Sequence, residues 1–158
     1  MIRTFFLKLL LVSCTFTVVA QTDIDKEQIL WSIDQFVEGT NNSDTTAIRR
    51  VVDPSIGLLT IFNDGKKNIM AAETLEMLFE DIIKPRIKLQ KEEQEGCIVE
   101  TNSILASVWC NYKYLVNNKI SHCGVNAYQL YKTKRGWKII QMTDTRQKHN
   151  CHTCPNNL

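Results

Sequence analysis

Ser121-His122-Cys123-Gly124-Val125-Asn126-Ala127-Tyr128-Gln129-Leu130, then Thr133-Lys134-Arg135-Gly136, Trp137-Lys138-Ile139-Ile140 and Asp144-Thr145-Arg146, form the stretch that decides the fold. Two strand-like runs meet across a Gly-containing turn. Side chains alternate between the two faces of a strand, so polar residues spaced by two among apolar ones give one face a mixed character. A curved sheet with a partly polar inner face is how a small pocket is built.

Working outward, residues 23–39 carry Ile29, Leu30, Ile33, Phe36 and Val37 at helical spacing, with Gly39 as a stop. After the turn Thr40–Asp44, a second short helix carries Ala47, Ile48, Val51 and Val52 and ends before Pro54. Ile56 to Phe62 reads as a strand, and Asp64-Gly65 is a hairpin signal. A third helix is expected over about Ala71 to Ile83, with Leu75, Leu78, Phe79 and Ile82 facing the core. Strand-like runs follow at Lys88–Glu100, Ile104–Val116, Ile120–Lys132 and Trp137–Arg146, with Asn117-Asn118 as a tight turn. Helices first and then a meander of long strands indicate an α+β fold, with helices packed on one face of a curved antiparallel sheet.

The N-terminus reads as a secretory signal. Arg3, the apolar run Phe5–Val12 and small residues near Ala20 predict cleavage before Gln21 and a secreted or periplasmic domain. Leu11-Val12-Ser13-Cys14 also resembles a bacterial lipoprotein box, which would anchor the chain at Cys14 instead. The organisation expected is a signal peptide over 1–20, one domain over 21–148 and a Cys/His-containing tail over 149–158. Losing Arg3 and Lys8 takes the 19 basic residues to 17, against 17 acidic ones, so the mature charge is zero and does not argue for nucleic-acid binding. The apolar run is too short for a membrane span. Five cysteines remain, Cys97, Cys110, Cys123, Cys151 and Cys154, so disulfides are expected, with at least one thiol left over or paired between chains.

Hairpin arithmetic assigns faces. With Lys132 opposite Trp137, Leu130 lies across from Ile139, Tyr128 from Gln141 and Asn126 from Thr143. With Val116 opposite Lys119, Asn126 also lies beside Trp109. His122, Gly124, Asn126 and Tyr128 then point to the core side, whereas Asp144 and Arg146 fall on the other face unless a bulge turns them inward. The three-residue spacing of Trp109 and Tyr112 hints at such a bulge.

Each candidate has two readings. His122 suits a general base or acid, or a hydrogen-bonded structural histidine. Asp144 and Arg146 suit ligand polarisation or a strand-end ion pair. Trp109, Tyr112, Tyr114 and Tyr128 suit a ring-binding wall or plain core. Gly124 marks a bend or a ligand contact. The tail groups Cys151, His152 and Cys154 allow a structural disulfide, a metal site or redox chemistry, without the second cluster of a zinc ribbon. No cofactor is implied.

Asp53-Pro54 after the second helix, Val108-Trp109-x-x-Tyr112, His122-Cys123-Gly124-Val125-Asn126, Gly136-Trp137-Lys138-Ile139 and Asp144-Thr145-Arg146 together resemble the nuclear-transport-factor-2-like superfamily, which includes SnoaL-like and ketosteroid-isomerase-like proteins. Within it they are similar to a group of exported bacterial proteins labelled lumazine-binding. The resemblance covers about residues 24–148. It implies a cone-shaped fold, a strongly bent sheet around a long helix, a cavity at the wide end, and dimerisation through the sheet. The acid–base Asp of the isomerase members has no matching motif here. The expected function is binding of a small aromatic or heterocyclic molecule by Trp109, Tyr112, His122, Asn126, Tyr128, Asp144 and Arg146. The alternatives are an isomerase, dehydratase or hydrolase using His122 and Asp144, and a non-catalytic dimerisation module.

Overall fold

The computed structural model describes residues 16–84, 89–148 and Cys151, with backbone alone for 16–22. Among these, three helices precede or interrupt a six-stranded mixed sheet, giving an α+β architecture. Helix α1 (Phe16–Asn41) lays Ile29, Ile33, Phe36 and Val37 into the core. Gly39 does not end it, as its residue type predicts. The helix runs on to Asn41, and Gly39 instead lets α2 (Thr45–Val51) approach, since a Cβ there would stand 2.6 Å from the Ile48 side chain. Asp44 caps α2 by accepting from the Thr46 and Ala47 amides.

Strand β1 (Val52–Asn63) turns through Asp64-Gly65 into β2 (Asn68–Glu73). The hairpin signal at Asp64-Gly65 stands, but the helix expected from Ala71 begins later, at Leu75 in α3 (Leu75–Ile83), with Thr74 capping it through the Met77 amide. Ala71, Ala72 and Glu73 pair with Thr60, Leu59 and Leu58. The ladder started at the turn outweighs the helical propensity of two alanines.

The remaining strands are β3 (Gln90–Thr101), β4 (Leu105–Val116), β5 (Lys119–Thr133) and β6 (Gly136–Arg146), in the sheet order β2-β1-β6-β5-β4-β3. Neighbours are antiparallel except β1 and β6, which run parallel, so the sheet is mixed rather than a pure meander. Val108, Leu130, Trp137 and Ile139 project from the concave side against the buried stripe of α1 and Phe79 and Ile82 of α3.

Two disulfides tie the chain. Cys97–Cys110 joins β3 to β4 where β3 bulges at Gly96. Cys123–Cys151 ties Cys151 to β5, beside the backbone bridge between Cys123 and Gln147. Cys151 is therefore occupied by Cys123 and is neither a free metal ligand nor half of a Cys151–Cys154 pair. His152 and Cys154 lie outside the described residues.

Candidate functional site

Two single-residue offsets in the sheet decide which side chains meet. Leu130 faces Ile139 as the turn predicts, but Gln129 faces Gln141, so Ile140 is an extra residue in β6. Beyond it Tyr128 opposes Met142 and Asn126 opposes Asp144, which turns Asp144 and Arg146 to the concave side. In β5, Ser121 is the extra residue: Leu115 faces Ile120, yet Tyr114 faces His122. That offset places Cys110 opposite Asn126, so Tyr112 and Tyr114 point inward.

Trp109 is thereby sent to the convex face, opposite Ala127 and 48% exposed. It borders a shallow outer groove of about 230 Å³ with Ile98, Gln129, Gln141 and Thr143. The inward placement expected for Trp109 is corrected: the unbulged count across the Asn117-Asn118 turn was one residue short.

The concave side holds a cavity of about 480 Å³ bordered by all six strands, α1 and α3, with Tyr112, His122, Asp144 and Arg146 in its wall. Asp144 is the most heavily bonded group. It accepts from Thr60 Oγ1 at 2.5 Å, from Arg146 Nε at 2.9 Å and from the Tyr112 hydroxyl at 3.3 Å. Arg146 Nη2 also donates to Thr60 Oγ1 at 3.1 Å, closing a four-residue network. The single proton of the Tyr112 hydroxyl is shared between Asp144 and Thr145 O, the latter at 2.9 Å. Burial, followed by the Asp144 and Glu92 charges, pushes the Tyr112 phenol far above its ordinary range, so it is a fixed neutral donor.

His122 stacks on Tyr114, ring centres 4.7 Å apart, and meets the edge of Tyr112. Burial and then the Arg146 charge hold its pKa below the usual histidine range against the opposing pull of Asp144. The imidazole is therefore neutral at neutral pH and able to accept a proton.

Asn126 and Tyr128 lie deeper, fully buried, and organise a residue the sequence did not single out. Asn126 Nδ2 and Gln94 Nε2 both donate to Glu92 Oε1, at 2.8 and 2.9 Å, and Gln94 also reaches the Tyr128 hydroxyl. Asn41 of α1 pins the Glu92 backbone from both sides, accepting from its N–H and donating to its carbonyl. Glu73, Asp81 and Glu92 add three carboxylates to the cavity wall. No motif marks Glu92, because the stretch Gln90–Glu95 is polar at every position and alternation carries no facing signal there.

Burial raises the Glu92 pKa, the amide donors Gln94 and Asn126 lower it, and the Asp144 charge raises it again, for a net upward shift. A carboxyl raised on folding binds more protons in the folded state, so its charge costs stability as pH rises from the unfolded carboxylate range through the folded value. Glu92→Gln retains an amide oxygen for Asn126 and Gln94 and removes that charge. It should raise stability by about 1 kcal/mol at pH 7, with the gain vanishing below the ordinary carboxylate range. Thermal melts of both forms against pH check this; a gain that grows towards acid pH would contradict it.

No three His, Cys, Asp or Glu side chains among the described residues converge as a metal site. No helix among them is long and apolar enough to cross a membrane.

No protein-family profile matches the chain, and no curated protein does. Solved structures do. An NTF2-like protein with a cystatin-like fold from Novosphingobium aromaticivorans superposes with a TM-score of 0.67 at 11% identity, over 88% of this chain and 94% of that one. The chain has the nuclear-transport-factor-2-like fold. A function-unknown protein from Mycobacterium tuberculosis matches this chain at TM-score 0.69 and 14% identity, covering 84% and 78% of the two chains. The S. rosetta CaMKII hub matches at TM-score 0.60 and 15% identity, covering 77% and 95%. At these identities the likeness establishes the nuclear-transport-factor-2-like fold and leaves function to the site itself.

Proposed function

We propose that this chain is an exported small-molecule-binding domain whose concave cavity takes a ring-containing ligand. The observation that carries the reading is the convergence of Tyr112, Tyr114, His122, Asp144 and Arg146 on one half-polar cavity of about 480 Å³, a volume in the range of small-molecule sites. Asn126 and Tyr128 support its floor from below. The resemblance to the lumazine-binding group makes a fused heterocycle the first probe. Export through the 1–20 signal, or anchoring at Cys14, accords with two disulfides among the described residues, which belong to oxidising compartments.

Lumazine, pterin and quinoline titrated into the purified chain should give a saturable rise in melting temperature for at least one ring. Absence of any shift, together with a crystal structure whose interior is filled by side chains, would overturn the reading.

Catalysis is the second reading, favoured by one specific observation: the Ile140 offset brings Asp144 into the same cavity as His122. Neutral His122 would serve as base, and Asp144, already committed to Arg146, Thr60 and Tyr112, would orient rather than transfer a proton. Dimerisation is proposed through the convex face, where Ile98, Leu105 and Trp109 are exposed.

A further inference from the structure

The cavity wall carries Glu73, Asp81, Glu92 and Asp144 against a single arginine, Arg146. Arg146 is already engaged, bonded through Nε to Asp144 and through Nη2 to Thr60. His122 adds no charge at neutral pH. The acidic groups come from four separate elements: β2, α3, β3 and β6. They border a space large enough for a ring, with Asp144 buried, Glu73 and Glu92 half-buried and Asp81 exposed, so the excess of negative charge surrounds the cavity.

Glu92 is the best prepared of the four. Its backbone is clamped on both sides by Asn41, and Asn126 and Gln94 both donate to Oε1. Among the described residues, nothing donates to Oε2 and no basic side chain forms an ion pair with this carboxylate. The groups that hold it are neutral amides. Asn126, one of these holders, is itself fully buried and keeps its own Oδ1 unpartnered. Glu92 is half-buried and its carboxylate has neutral partners only, so a positively charged N–H donor entering the cavity would meet a carboxylate with no ion-pair partner. Tyr112, Tyr114 and His122 add aromatic rings to the same wall, and aromatic surface favours a flat cation over a flat anion.

We propose that the ligand is a planar organic cation, a ring bearing an amidinium or protonated amino-heterocycle, with Glu92 Oε2 as its ionic anchor. This rests on the ligand-binding reading above and adds the charge class and the anchoring residue. Glu73 and Asp81 set the sign of the field at the α3 side of the cavity, and the Asp144–Arg146 pair supplies a neutral, hydrogen-bonding edge.

Three probes of matched size separate charge from shape: benzamidine, benzamide and benzoate. Isothermal titration of the full chain at pH 7.5 and low salt should show benzamidine binding at least about tenfold tighter than benzamide, and benzoate not binding, since each tenfold is a modest difference in interaction energy. Glu92→Gln should weaken benzamidine by about tenfold or more while leaving benzamide unchanged; Asp81→Asn, on an exposed helical position, should weaken benzamidine by a smaller factor. A circular-dichroism melt of each variant shows that it is folded, and Asp81→Asn keeps the test intact if Glu92→Gln is not. Equal or tighter binding of benzamide or benzoate, or an unchanged benzamidine affinity in Glu92→Gln, would overturn the cationic class while the cavity reading survives. If none of the three binds but lumazine does, the cationic class is likewise overturned. If no ring compound binds at all, the binding reading itself fails.

Discussion

Gly124→Ala should cost about 3 kcal/mol or more, one of the largest effects of any single methyl group added to this protein. A Cβ at position 124 would stand 1.8 Å from the Thr145 carbonyl oxygen and 2.8 Å from its carbon. Both are backbone atoms of β6, so relief requires the strands to separate. Thr145 is also bound by Tyr112 at its carbonyl and by the Val125 amide at Oγ1. Displacing it drags its neighbours Asp144 and Arg146, so the cavity should lose ligand affinity along with stability. The expected drop in melting temperature is about 10 °C. Gly57→Ala is the control, because nothing lies within 4 Å of a Cβ placed there. A Gly124→Ala protein that melts within about 2 °C of the parent would show that β6 is free to move, contrary to this account.

Replacing Cys97 and Cys110 together by alanine should cost about 3 kcal/mol, the loop-closure value for a bridge of this span. The two residues are 13 apart in sequence, and Cys110 is fully buried. The structural consequence is more specific than the energy. Strand β3 is the last strand of the sheet and pairs only with β4, so the disulfide is its one covalent tie across the ladder. Glu92 and Gln94 ride on this strand. Amide hydrogen exchange should therefore quicken first across Gln90–Thr101, well before the central strands β5 and β6. Uniform exchange across all six strands would indicate that the bridge stabilises the whole sheet and does not hold its edge.

Much of the architecture was legible in local patterns. The stripe Ile29, Ile33, Phe36, Val37 and the alternation Tyr128, Leu130 opposite Trp137, Ile139 report burial directly, because period and sidedness are properties of a few consecutive residues. The turns Asp64-Gly65, Asn117-Asn118 and Arg135-Gly136 are equally local; Gly65, Asn117, Asn118 and Gly136 all adopt the positive φ such turns need. Less of the site was legible. Tyr112, His122, Asp144 and Arg146 share the cavity, Asn126 and Tyr128 lie under it, and Trp109 is on the far side of the sheet.

The sequence by itself determined the order of elements, the helical and strand periods, the turns and the apolar faces, all set by interactions within a few residues. Only the tertiary structure decided which faces coincide. Ser121 and Ile140 each add one residue to a ladder, and with a side-chain period of two a one-residue offset exchanges inside for outside along everything beyond it. The same holds for Ala71–Glu73, made strand by pairing with β1, and for Glu92, which becomes a site residue only because Asn41 of α1 and Asn126 of β5 join Gln94 of its own strand in holding it.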